Sequence, residues 1–289
     1  MISQLQNLLA LCHADSDGIY LGMGALVSSQ AEEIGLRERV AAQHYDDYLA
    51  AVSLSHSIPV MDHEVDLFLD RMPQGALILD IGGCWGWHWR RVAQTRPDVA
   101  VLIVDFVRSN LPHARNVLGD LVGRQVELMH ADATALPFVV NESFPGFDGV
   151  WTVQTFQHIP DFDKAVSEAH RVLKPGGLFA NYSLNVQPPV RWARRILGRN
   201  YLTKGWIDGA FWLARASDEQ KKCIEAVFGC PVEERWSEIL YSPEFRLPAA
   251  GRNGSVFGKL DALLSNNAGV LGWFARQRSF HCKKPSVSN

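Results

Sequence analysis

From Ala76 to about Gly177 the chain repeats one texture: a short apolar run, then a segment of helical period. The runs are Leu77-Ile78-Leu79, Val99 to Val104, Val126 to Met129, Val150 to Val153 and Leu178 to Tyr182. Runs this short and continuous read as strands buried on both faces, and their alternation with helices dictates βαβ units in a parallel sheet. Before residue 70 the apolar spacing is helical through Met1 to Leu11, Ala31 to Val52 and Val65 to Leu69, which predicts a helical N-terminal cap over residues 1–70. After Leu184 the parallel pattern stops, and residues 185–265 read as an insertion within a domain spanning 71–289. Ser217 and Gln220 have the spacing of a capping box opening a helix that Gly229 can end. Val232 to Tyr241 and Phe274 to Cys282 read as strands, the second an antiparallel last strand.

A chain of 289 residues buries enough surface to fold without staples, and 47% apolar with 20% charged residues is ordinary globular composition. The net charge of −3 supplies no basic field for an extended nucleic-acid surface. The five cysteines, Cys12, Cys84, Cys223, Cys230 and Cys282, are scattered, so neither a zinc site nor a secreted disulfide framework is expected. Leu8 to Cys12 is too short for a signal segment, and no apolar stretch approaches the roughly 20 residues of a membrane span. A reducing, cytoplasmic setting is the expectation.

The strongest local signal is Leu77 to Gly86, an apolar strand running through Asp80 into Gly82-Gly83-Cys84-Trp85-Gly86. Glycine lets the backbone approach a ligand, and a following helix offers free N–H groups to an anion. A dinucleotide enzyme uses a similar turn, but Cys84 occupies the second glycine position of its pattern. One βαβ unit later Asp105 ends the second strand, where a carboxylate can accept from ribose hydroxyls. Asp132 ends the third, in His130-Ala131-Asp132-Ala133-Thr134-Ala135-Leu136-Pro137-Phe138; with the Ala133 backbone N–H it can read adenine.

With Phe147 to Trp151, Gln154, His158 to Asp161, and Glu168 to Gly177, these motifs resemble the class I S-adenosylmethionine-dependent methyltransferases, in particular the small-molecule and quinone-type group. The resemblance covers roughly Ala76 to Tyr182. It implies a doubly wound, mainly parallel, seven-stranded α/β sheet of Rossmann-like kind, with the N-terminal cap as a lid and the late insertion over the acceptor. It also implies that Asp80, Gly82, Gly83, Cys84 and Gly86 surround the methionine end of S-adenosyl-L-methionine. Asp105 then holds ribose, Phe106 packs on adenine, Asp132 and Ala133 read it, and Gln154 lies beside the sulfonium. Tyr45 resembles a lid tyrosine. Cys84-Trp85 departs from the family, which more often carries glycine and a small residue there.

Methyl transfer is an in-line displacement, so alignment supplies most of the catalysis and a base is needed only where a proton must leave. His158, after the fourth strand, is the candidate base; its alternative is a structural histidine opening the next helix. Trp85 is a candidate wall of the site, whereas Trp89 has the spacing of core packing. Arg191, Arg194, Arg195 and Arg199, beside Trp192, Ile196 and Leu197, would form a basic amphipathic helix suited to an anionic ligand or peripheral membrane contact, or simply a solvated face. The activity expected is methyl transfer to a small-molecule, lipid or glycan acceptor at oxygen, with no metal. A non-catalytic subunit keeping the fold and a nicotinamide-dependent oxidoreductase are the alternatives.

Overall fold

The computed structural model describes residues 2–10, 12–22, 34–35, 38–39, 42–53, 56–185, 188–198, 217–240, 256–265 and 270–286. Each apolar run of the central region becomes a strand: β3 (Leu77–Ile81), β4 (Ala100–Asp105), β5 (Val126–His130), β6 (Phe147–Val153) and β7 (Leu173–Leu184). Every residue of β3 and β4 is buried, which is why these strands are apolar without alternation. With β1 (His13–Ala14), β2 (Tyr20–Leu21), β8 (Glu233–Ser237) and β9 (Gln277–Lys283) they form one sheet, ordered β1-β2-β5-β4-β3-β6-β7-β9-β8. Strands β2 to β7 pair in parallel wherever they meet, and β9 returns antiparallel to β7.

The sheet has nine strands rather than the seven expected. The two extra are β1 and β2, an edge hairpin inside the stretch expected to be a helical cap, with Tyr20 in register with Met129. Asp15 closes its turn by accepting from the Asp17 and Ile19 N–H groups, Gly18 takes φ +68°, and Arg108 bridges Asp15 and Asp17. Two-residue strands have no periodicity to read. Elsewhere before residue 70, α1 (Ile2–Leu9), α2 (Tyr48–Val52) and α3 (Ile58–Asp70) are helical, α3 opening with proline in its first turn.

Helix α3 and α4 (Asn110–Leu118) cover one face of the sheet, and α5 (Phe162–Val172) and α6 (Ser217–Phe228) the other, with an apolar core on each side. Ser217 does not make the expected capping box with Gln220: its hydroxyl donates to the Leu184 carbonyl, and the Gln220 amide joins Asn181 and Ser183. Those side chains tie α6 to β7 instead. Gly229 ends α6 at φ +65°, as expected. Of the basic segment, α7 (Pro188–Ile196) is described, while the side chains of Arg191 and Arg194, and all of Arg199, lie outside the described residues.

Chain order reverses at β3: the path runs outward through β4 and β5, then returns to lay β6 on the other side. In open α/β sheets such a switch point opens a crevice at the carboxyl ends of the strands.

Candidate active site

A cavity of about 570 Å³ occupies that crevice, within the usual range for small-ligand sites. Gly82, Gly83, Cys84, Asp105, Phe106, Asp132, Ala133, Gln154, Tyr45 and His158 all line it. Thus residues from the ends of β3, β4, β5 and β6 and from the segment before α2 converge on one space. Asp80 and Gly86 are not part of that lining and sit behind the loop.

The loop after β3 is shaped by tight packing. Gly82 adopts φ +73°, and a Cβ there would stand 2.2 Å from Thr155 Oγ1, so only glycine lets this turn lie against the loop after β6. A Cβ on Gly83 would meet Asp80 Oδ2 at 2.4 Å. Asp80 is buried, accepts a 2.6 Å hydrogen bond from the Trp89 indole, and burial pushes its carboxyl up to about 7, a rise the indole opposes and Asp105 adds to. Its role in the geometry is to brace the loop from beneath. Cys84 and Gln154 carry φ of 51° and 52°, so two non-glycine residues of the lining hold left-handed backbone.

Asp105 accepts from the Cys84 N–H at 2.9 Å through one oxygen, and from the Val107 N–H at 2.8 Å and the Asn110 amide at 3.2 Å through the other. These bonds fix the carboxylate at the strand end and use part of its acceptor capacity. Asp132 accepts from the Thr134 N–H at 2.7 Å. The Gln154 side-chain amide nitrogen is buried without a hydrogen-bond partner in the cavity wall, an incomplete donor of the kind a ligand satisfies.

Aromatic side chains close the far wall. Tyr45 stands 4.5 Å from Trp85, and Tyr48 5.6 Å, ring centre to ring centre. The Tyr48 hydroxyl is joined to His113 Nδ1 at 2.9 Å and receives a bond from Asn116 at 3.0 Å. Trp85 is therefore the wall expected of it, and Trp89 is fully buried, as its spacing predicts. His56, His88, Asn110 and Thr155 also line the cavity and were not singled out by sequence reasoning, since none belongs to a spacing pattern. Burial holds His56 down at about 3, helped by the charge of Arg276, and lowers His88 well below the usual range; both imidazoles are neutral at pH 7.

The lining includes the carboxylates Asp105 and Asp132 but no Lys or Arg among the described residues, and it presents aromatic faces. A cationic cofactor with two hydroxyls and an adenine amino group fits that set of acceptors. Residues 79–181 match the methyltransferase domain family model. Residues 79–181 thus form a methyltransferase domain of the class I S-adenosylmethionine-dependent kind. It is 29% identical over 191 residues to the demethylmenaquinone methyltransferase of Thermus thermophilus, an alignment covering 64% of this chain and 83% of that one. To the malonyl-[acyl-carrier protein] O-methyltransferase of Geobacter sulfurreducens it is 34% identical over 139 residues, 48% of each chain. It shares the fold of an S-adenosylmethionine-dependent methyltransferase from Aquifex aeolicus, with TM-score 0.51 and 12% identity over 84% of this chain and 100% of that one. The cofactor of the methyltransferase is S-adenosyl-L-methionine, which supplies a methyl group on a sulfonium.

Proposed function

We propose that the methyltransferase transfers the methyl group to oxygen of an uncharged, largely apolar small molecule or lipid. The observation that carries this reading is the cavity lining: beyond Asp105 and Asp132 it offers aromatic and aliphatic faces, neutral imidazoles, the uncharged polar groups of Gln43, Asn110, Gln154 and Thr155, and no Lys or Arg among the described residues. An acidic or phosphorylated acceptor would lose its hydration there without gaining a counter-charge. The relative named for demethylmenaquinone supports an apolar acceptor.

In this reading Asp105 takes the ribose hydroxyls, Phe106 packs on adenine, and Asp132 with the Ala133 N–H reads its edge. Gly82, Gly83 and Cys84 pass beneath the methionine portion, Gln154 lies beside the sulfonium, and Trp85 with Tyr45 walls the site. Residues 1–70 act as the cap and residues 185–265 as the acceptor-side insertion. His158 accepts the hydroxyl proton as general base; its ring lines the cavity and its Nε2 lies 3.3 Å from the Gln157 amide.

Calorimetry with S-adenosylmethionine, its demethylated product and NAD tests the cofactor assignment; tight binding of NAD alone would overturn it. Incubation with a metabolite extract and a search for compounds gaining one methyl group tests the acceptor. Methyl ethers of neutral hydroxylated compounds are the expected products, and preferential methylation of carboxylates would refute the acceptor class. His158→Ala should lower kcat by about a hundredfold or more at saturating acceptor; unchanged turnover would remove His158 as the base.

A further inference from the structure

Helix α8 (Val256–Leu264) is inverted relative to a surface helix of a globular protein. Its acidic residue Asp261 is 0% exposed and accepts from the Ile239 and Leu240 N–H groups, whereas Val256 and Leu263 are 79% and 74% exposed and Phe257 and Leu260 also face outward. Trp192 and Ile196 of helix α7, and Leu197 just past its end, are likewise more than three-fifths exposed. The turn before β9 adds Trp273 and Phe274. Apart from Leu21, Val139 and Val140, every large exposed apolar side chain among the described residues belongs to these three elements.

The elements are neighbours. Asn185, ahead of α7, donates through its backbone to the Arg276 carbonyl and through its side chain to that of Ala275. Arg276 donates in turn to the Glu238 carbonyl, and Ile239 follows directly onto Asp261 of α8. Gly272 packs against Trp236. One corner of the molecule thus presents aromatic and aliphatic groups to the outside, and it adjoins the cavity wall through Glu238, 4.0 Å from His56. Water-soluble monomers seldom leave a contiguous apolar surface of this kind without a partner.

We infer that this corner docks on an anionic lipid bilayer. Between Asn185 and Asp208 the sequence carries Arg191, Arg194, Arg195, Arg199 and Lys204 and no acidic residue, in a chain whose net charge is −3. An apolar surface that includes Trp192, on a helix that also carries Arg191, Arg194 and Arg195 in its sequence, matches the boundary between acyl chains and anionic headgroups. A second copy of the chain fits less well, because an isologous contact centred on α7 would bring two arginine-bearing helices together. The inference does not depend on which acceptor the cavity takes.

The full chain is floated with vesicles of phosphatidylcholine alone and of phosphatidylcholine mixed with phosphatidylglycerol, and its oligomeric state is followed by sedimentation. Partition into the anionic vesicles is expected to exceed that into neutral ones by about tenfold and to fall as salt rises. Replacing both Trp192→Glu and Leu263→Glu should reduce partition by about tenfold or more, while affinity for S-adenosylhomocysteine stays unchanged. Should the double variant not fold, Trp192→Ala supplies the same comparison. No partition of the parent into anionic vesicles overturns the inference. So does partition that neither variant alters, or a dimer that Trp192→Glu/Leu263→Glu dissociates with no vesicle binding by the parent.

Discussion

Among the described residues, three that are not glycine hold φ in the left-handed region: Cys84, Gln154 and Glu238. The first two line the cavity, and the third lies against His56, which also lines it. Such backbone costs on the order of 1–3 kcal/mol per residue and is kept where surrounding structure overrides it. Cys84→Gly should leave the melting temperature unchanged or higher, with affinity for S-adenosylhomocysteine altered by less than about threefold. Cys84→Val should lower the melting temperature, because a β-branched side chain tolerates this φ worst. Scanning fluorimetry and calorimetry of both variants decide it; loss of binding in Cys84→Gly would mean that the thiol itself contributes. Asp80 makes a second prediction. Its carboxyl is raised to about 7, so between roughly pH 4 and 7 the native chain holds a proton that the unfolded chain has released. Stability from this group falls as pH rises through that window. Asp80→Asn should therefore gain stability relative to the parent as pH goes from about 4 to 7, measured by urea unfolding at each pH; parallel curves would contradict it. The strand-end residues that line the cavity were legible because strand ends are fixed by the apolar runs. That Asp80 braces the loop against Trp89 was not, since it depends on how the loop folds back.

At the scale of elements, apolar runs and turn residues accounted for β3 to β7 and for the stop of α6 at Gly229. The β1–β2 hairpin escaped because a two-residue strand is defined by its partner β5, not by its own pattern. The Ser217/Gln220 box expected from the sequence does not form for a related reason: the buried polar groups of β7 also need hydrogen bonds, and these side chains reach them. The end of α5 shows another long-range tie. Lys284, beyond β9, donates at 2.8 Å to the carbonyls of both His170 and Leu173 and closes the carboxyl end of that helix. Lys284→Met keeps the stem and removes the donors, and it should cost about 1–3 kcal/mol in chemical denaturation. An unchanged midpoint would show that water replaces those bonds at no cost.

For the whole molecule, three buried imidazoles set an acid limit. His56, His88 and His281 are all lowered chiefly by burial, so the unfolded chain binds protons there that the native chain refuses. Their contribution is complete above about pH 6.5 and is lost as pH falls below it toward the folded values, opposite in sign to that of Asp80. Denaturation midpoints should accordingly fall on acidification below about pH 6.5, and His88→Phe should flatten that fall; an equally steep fall in the variant would place the acid sensitivity elsewhere.

The amino-acid sequence by itself determined the parallel α/β core, the order of the strand ends that line the cavity and the methyltransferase family, because continuous apolar runs, a glycine turn and carboxylates one βαβ unit apart are local features. Only the tertiary structure decided that ten of the named positions share one cavity while Asp80 and Gly86 stand behind it. It also decided that His56 and His88 join them, and that α8 turns its aspartate inward and its leucines outward. Those outcomes rest on contacts between segments far apart in the chain, where the demand of buried polar groups for partners overrides what each segment would choose alone.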